Sequence, residues 1–265
     1  MDSPGQIVVA TYNVLADAYV KPKYYPSIDP LLLAKENRYP RIVKRVAQLR
    51  NADIICLQEV DYELFVLAES RLRKIGYHGR WVHKGRGKPD GCATFVRNFW
   101  RVTETRILGY NDECIDGEKS GHIALMIAVE RNDMAVIVVN THLKWDPPDT
   151  PPEKQYGLAQ ARELLAILGK RMLRTIVCGD FNVEKESGVI KMFLLARFTD
   201  AHDSSVATAN PENKAKKIDY IMCSTAFSPR PFPTTIVEDK TPLPSGTEPS
   251  DHVLLAAAFV RSSSN

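Results

Sequence analysis

Eight short apolar runs, spaced along the chain and separated by longer amphipathic stretches, limit what this 265-residue sequence can fold into more than any other feature. They occupy residues 7–12, 54–57, 93–96, 123–129, 135–139, 175–178, 218–222 and 253–260. Each is the length of a buried strand and too short for a helix that needs three turns to pack. Between them, helical periodicity covers 40–49, 62–75, 152–168 and 187–195, with Pro40 and Pro152 expected in first turns, where a missing N–H costs little. The alternation predicts an α/β fold, and by itself it fits either one parallel sheet or two packed sheets. With 44% hydrophobic residues the chain can bury a core without metals or disulfides, so one domain over residues 1–265 is expected. The longest apolar run, 253–260, cannot span a bilayer, and Met1 to Gly5 lack the basic and apolar segments of a secretory signal, so no membrane association is expected.

Charge excludes little. A formal net charge of +3 permits an anionic substrate but falls short of the basic footprint of a protein gripping long duplex DNA. The cysteines, at 56, 92, 114, 178 and 223, are odd in number and form no close pairs. Reduced core thiols follow, and with them an intracellular, cytoplasmic setting.

Polar clusters ride on these runs. Asn13 closes the first, and Glu59 stands where the second should emerge, a place that suits a carboxylate for a hard divalent cation. His142 ends Asn140-Thr141-His142 after a strongly apolar strand. In Gly179-Asp180-Phe181-Asn182 the glycine permits a tight backbone, while period-two spacing points Asp180 and Asn182 to one face and Phe181 to the other. Asp180 could take a proton from water and Asn182 could hold a phosphoryl oxygen, although an Asx turn would produce the same pattern. Asp251 and His252 precede the last run, at a strand's start. Asp219 lies inside the run 218–222, where an unpaired acid would be costly, which makes it a natural partner for His252. Two Pro-, Ser- and charge-rich stretches, 204–217 and 232–248, are expected as surface loops near a site.

Together these residues are the parts of a metal-dependent phosphoesterase, and their order resembles the endonuclease/exonuclease/phosphatase family, whose fold is shared by DNase I, apurinic endonucleases, inositol polyphosphate phosphatases and messenger-RNA deadenylases. Within it the chain most resembles the branch of carbon-catabolite-repressor deadenylases, nocturnin and Angel proteins. The resemblance rests on Thr11-Tyr12-Asn13-Val14-Leu15-Ala16, Ile55-Cys56-Leu57-Gln58-Glu59-Val60, Asp90-Gly91-Cys92-Ala93-Thr94-Phe95, and Asn140-Thr141-His142-Leu143 through Trp145-Asp146-Pro147. It continues in Cys178-Gly179-Asp180-Phe181-Asn182, Ser187-Gly188-Val189, Ile218-Asp219-Tyr220-Ile221 and Pro249-Ser250-Asp251-His252.

The resemblance implies a DNase I-like four-layer α/β sandwich, two mainly antiparallel sheets flanked by helices, with the cleft at one end. It implies Mg²⁺, for which Mn²⁺ would substitute, held by Glu59 with Asn13 near and Asp251 in the metal shell. Asp180 would activate water, Asn182 would orient it, His142 and His252 would contact the phosphoryl group, and Asp219 would hold His252. The expected substrate is RNA or a nucleotide, with 3′ exonucleolytic shortening first and a phosphatase or cyclic phosphodiesterase acting on 2′,3′-cyclic ends or NADPH as the alternative. An inactive scaffold of the same fold is a third possibility, but it predicts a broken catalytic position that is not found. Pro147 matches a proline that stacks on adenine in deadenylases. The aromatic expected before Asp219 is replaced by Asn213-Lys214-Ala215-Lys216-Lys217, so Lys144, Lys214, Lys216 and Lys217 are expected to meet phosphates instead. A stand-alone monomeric domain without a leucine-rich-repeat adaptor is expected.

Overall fold

In the computed structural model, which describes residues 5–112, 115 and 117–262, twelve strands form two six-stranded sheets. Residues 1–4 and Cys114 lie outside the described residues. The first sheet contains β1 (Gln6–Asn13), β2 (Ile54–Val60), β3 (Tyr77–His83), β4 (Gly91–Arg97), β11 (Phe227–Pro231) and β12 (Leu255–Arg261), in the order β11-β12-β1-β2-β4-β3. The second contains β5 (Arg101–Gly109), β6 (Ile123–Arg131), β7 (Met134–His142), β8 (Thr175–Asp180), β9 (Phe198–Asp200) and β10 (Asp219–Ser224), in the order β5-β6-β7-β8-β10-β9. Among the described residues only β1–β2 and β7–β8 pair in parallel, and the other ladders between these strands are antiparallel. The four-layer sandwich expected from the resemblance is therefore present.

Continuous apolar runs form these strands because the central ones are buried on both faces. Along β1, Ile7 and Val9 enter the core between the sheets with Ile54, Cys56, Leu125, Ile127, Val138, Ile176, Cys178 and Ile221. Val8, Ala10 and Tyr12 face the other way, against Tyr39, Ile42 and Val46 of α2 (Lys35–Ala47) and Leu64, Ala68 and Leu72 of α3 (Tyr62–Arg73). The second sheet likewise covers its outer face with Ala161, Leu164 and Leu168 of α4 (Tyr156–Leu168) and Ile190 and Phe193 of α5 (Gly188–Leu195). A four-residue helix, α1 (Pro30–Leu33), precedes α2.

Side chains mark the starts of α3 and α5. Asp61 accepts a hydrogen bond from Leu64 N at 2.9 Å and Ser187 accepts from Ile190 N at 3.3 Å, caps worth about 1 kcal/mol each. Pro40 departs from expectation: it lies inside α2, which begins five residues earlier, so it removes one N–H from the helix's own ladder. Pro152 instead opens a separate turn of 3₁₀ helix, Pro152–Lys154, and α4 begins at Tyr156. Residues 204–217 and 232–248 are irregular as expected, apart from a turn of 3₁₀ helix at Pro211–Asn213, but Ala207 and Ala215 of the first also pack with Val237 and Leu243 of the second around Val253. Cys56, Cys92, Cys178 and Cys223 are buried free thiols. Among the described residues no helix is long and apolar enough to cross a membrane.

Candidate active site

The polar clusters converge because the central strands deliver them to one end of the sandwich. Asn13 ends β1, Glu59 lies next to the last residue of β2, His142 ends β7, Asp180 ends β8, and Asp219 opens β10. His142 pairs with Asp180 across the parallel ladder, and Asp219 pairs with Asp180 across the antiparallel one. Gly179 makes the junction possible, since a Cβ there would lie 1.8 Å from Thr141 O. Asp219 thus stands at a strand's first position rather than its middle. Asp251 and His252 precede β12 by several residues, and His252 is placed by an isolated bridge to Ala209.

Asp180 is the hub. Its Oδ2 accepts from Asn13 Nδ2 at 2.9 Å and lies 3.6 Å from His142 Nε2 and 3.8 Å from His252 Nε2. Its Oδ1 accepts from the backbone N of Asn182 at 2.8 Å. This is an Asx turn, and Asn182 has a left-handed backbone with φ of 55°, so the turn and the functional pairing coexist, and period-two geometry is not what brings the two residues together. Asn182 Nδ2 donates to Leu143 O at 2.9 Å and stands 2.9 Å from His142 Nε2.

Asn13 joins the two central carboxylates, donating from Nδ2 to Glu59 Oε1 at 3.1 Å as well as to Asp180, while its Oδ1 accepts from Leu15 N at 3.0 Å. It is a bridge between acids rather than an oxygen turned toward a cation. Glu59 Oε2 accepts from Ala16 N at 2.9 Å. Asp251 accepts from the Tyr25 hydroxyl at 2.9 Å.

Burial acts on Glu59, Asp180, His252 and His142. It raises the Glu59 carboxyl above its ordinary value, with Lys84 and the Asn13 amide working in the other direction. Burial and then Asp219 push Asp180 up to about 7. His252 resists burial: Asp219, whose Oδ2 lies 2.8 Å from Nδ1, together with Asp180 and Asp251, holds the imidazole well above its usual range. His142 goes the opposite way, held low first by burial and then by Lys84, His122, His252 and Lys88. An ammonium lies 3.1 Å from His142 Nδ1 and the Asn182 amide nitrogen lies 2.9 Å from Nε2, so both nitrogens of the neutral ring face hydrogen-bond donors.

That ammonium belongs to Lys84, a residue the sequence reading missed. It is buried and paired with Asp90 at 2.6 Å, and Asp90 also accepts from Tyr19 at 2.8 Å. A lysine directly after β3 and six residues before Asp90 was the available signal; Tyr19 and Tyr25 offered none.

A cleft of about 760 Å³ opens beside the hub, lined by Trp145, Pro147, Asn182, Lys216, Asp251 and His252 among others. Pro147 and Lys216 are thus at the cleft as expected. Lys144 stands over the Tyr156 ring at 3.2 Å. Lys214 is exposed and does not line the cleft. Lys217 corrects the expectation: its ammonium is buried, 2.7 Å from Asp200, and donates to His202 O and Asp203 O at 3.0 and 2.9 Å, so it serves the fold and not a substrate.

The donor set fits a hard divalent cation. Glu59, His142 and Asp180 each offer a ligand atom within 4.8 Å of the others, the two carboxylates are the hard oxygen donors such a cation takes, and buried carboxylates held this close repel one another without it.

Residues 10–252 match the Endonuclease/Exonuclease/phosphatase family. The chain is 29% identical over 234 residues to the CCR4-Not complex 3′-5′-exoribonuclease subunit Ccr4 of Candida albicans, covering 72% of this chain and 29% of that protein. It is 30% identical over 195 residues to Protein angel homolog 2 of Danio rerio, covering 68% of this chain and 33% of that one. This chain therefore spans about a third of the length of these two relatives. Its fold superposes on the crystal structure of ANGEL2, a 2′,3′-cyclic phosphatase, in complex with adenosine-2′,3′-vanadate, with a TM-score of 0.81 at 18% identity over 97% of this chain and 96% of that one.

Proposed function

The chain belongs to the endonuclease/exonuclease/phosphatase family, and from that premise we propose that it is a Mg²⁺-dependent phosphodiesterase of RNA, a 3′ exoribonuclease in which Asp180 activates the attacking water. One observation carries the reading: a buried carboxylate raised to about 7 sits between two histidines of opposite charge preference, beside a cleft large enough for a nucleotide. The relatives named as 3′-5′-exoribonuclease subunits support the substrate class.

Glu59 and Asp251, with Asn13 bracing the first, would hold the cation, which when bound neutralises charge on the phosphoryl oxygens. The remaining work falls to the chain's own groups. With its proton removed, Asp180 accepts one from water, and the water oxygen attacks phosphorus while the bond to the leaving oxygen breaks. His142 faces the phosphoryl group as a neutral imidazole, and the protonated His252, oriented by Asp219, meets the growing negative charge. Asn182 holds Asp180 by its backbone N–H and keeps its side chain at the phosphoryl position. Trp145 and Pro147 give the cleft the flat apolar walls that a base can stack on, and Lys216 gives it a cation for a further phosphate.

A hydrolysis panel with Mg²⁺ or Mn²⁺ tests this: 3′-hydroxyl poly(A), mixed-sequence RNA, 2′,3′-cyclic-phosphate-ended RNA and NADPH, with Asp180→Ala as control. Stepwise shortening of RNA that is lost in the variant is the expected result. Ring opening or phosphate release without shortening moves the protein to the phosphatase side of the family, and inactivity on every substrate overturns the enzymatic reading.

A further inference from the structure

Asn140 and Gln58 are fully buried polar residues that the chemistry above leaves unused. They meet at an irregularity in β2. Against β4 this strand keeps antiparallel register from Ile54↔Val96 to Leu57↔Ala93 and resumes at Val60↔Gly91, so Gln58 and Glu59 together oppose one residue. The extra residue makes a β-bulge, and within it Glu59 adopts φ of 57°. For a non-glycine residue that conformation costs about 1 kcal/mol or more and persists only when its surroundings over-determine it.

Val14 N donates to Gln58 O at 3.1 Å, Asn13 and Ala16 bond the Glu59 carboxylate, and one side chain reaches the bulge from the opposite sheet. Asn140, on β7, donates from Nδ2 to Leu57 O at 3.1 Å and Ala93 O at 2.9 Å, the last regular pair before the bulge, and lies 3.2 Å from Thr94 Oγ1. Its Oδ1 accepts from Gln58 Nε2 at 2.8 Å, and Gln58 Nε2 also reaches Thr11 Oγ1 at 3.0 Å. The residue before Glu59 and the pair before that are therefore tied to one amide. His142 follows two residues later on the same strand, and so points to the same side.

We propose that Asn140 is a positioning residue for the metal carboxylate: by clamping the β2 bulge it keeps Glu59 in its left-handed conformation and sets both the affinity for a divalent cation and the spacing between Glu59 and His142. The assignment rests on the metal-dependent reading above. A purely stabilising role is the competing account, and Val138→Ala separates the two. Val138 is fully buried in the inter-sheet core two residues before Asn140, and its apolar side chain offers no hydrogen bond to the bulge.

The experiment measures Mn²⁺ binding by electron paramagnetic resonance, and stability by urea denaturation, for the full chain and for Asn140→Ala, Gln58→Leu and Val138→Ala. Asn140→Ala is expected to weaken Mn²⁺ binding about tenfold or more, the usual effect of losing a residue that orients a ligand, and Gln58→Leu by a smaller factor. Val138→Ala is expected to lower stability and leave Mn²⁺ affinity unchanged. Unchanged affinity in Asn140→Ala, or an equal loss in Val138→Ala, overturns the proposal. Should Asn140→Ala fail to fold, Gln58→Leu decides on the same criterion. Absence of Mn²⁺ binding in the wild type overturns the metal-dependent reading itself, an outcome distinct from wild-type binding that Asn140→Ala retains.

Discussion

The two histidines of the site flank the same oxygen of Asp180, at 3.6 and 3.8 Å, yet lie in opposite surroundings. On one flank His142 is buried among Lys84, Lys88 and His122 and is held neutral. On the other, His252 is also buried, but Asp219, Asp180 and Asp251 surround it and hold its proton. Residue type and distance to the hub are nearly the same, so the neighbours alone favour the neutral form of one ring and the charged form of the other.

Removing the hub erases the comparison and carries the largest effect. Asp180→Ala, and equally Glu59→Ala, should reduce hydrolysis by about a hundredfold or more; near-full initial rates from either folded variant would contradict the mechanism. Lys84→Met attacks the neutral flank alone. It leaves Asp90 buried without its cation, a loss of about 3 kcal/mol for a broken buried pair, which urea denaturation reads directly, and the His142 resonance should then titrate at higher pH than in wild type. Asp219→Asn attacks the charged flank: activity should fall about tenfold while shape is kept, and His252 should titrate at lower pH by nuclear magnetic resonance.

A pH test sharpens the role of Asp180. Its ordinary value is 3.8 and burial with Asp219 brings it to about 7 in the fold, so between these values the folded state holds a proton that the unfolded state has lost. Folding is therefore favoured as pH falls from 7 toward 3.8, and that contribution disappears as pH rises through 7. With divalent cations chelated, Asp180→Asn should be more stable than wild type above pH 7, which thermal melts across that range check. The smallest effect distinguishes the loop lysines: Lys216→Ala should raise KM a few-fold, whereas Lys214→Ala, away from the cleft, should leave it unchanged.

Much of the fold was legible because the central strands are apolar on both faces, and each predicted run lies within or overlaps an observed strand. What escaped detection were edges. β5 is exposed along nearly its whole length and β3 along much of it, and β9 and β11 are short border strands. A strand that buries little has no hydrophobic pattern to read. The predicted ends of β2, β7 and β8 also fell short by two or three residues, because Gln58, Glu59, Asn140, His142 and Asp180 break the apolar pattern while the ladder continues beneath them.

The sequence by itself determined the candidate residues and most of their placement: Asn13, Glu59, His142, Asp180, Asn182 and His252 each follow or precede a run whose burial was predictable, while Asp219 was read inside one and opens its strand instead. Only the tertiary structure decided their charge states, the Lys84–Asp90 pair behind His142, the tyrosines that cap Asp90 and Asp251 from 71 and 226 residues away, and the turn of Lys217 toward Asp200. The division has one physical cause. A side chain's donors and acceptors travel with the sequence, whereas desolvation and Coulomb interaction depend on distances between residues that only folding brings together.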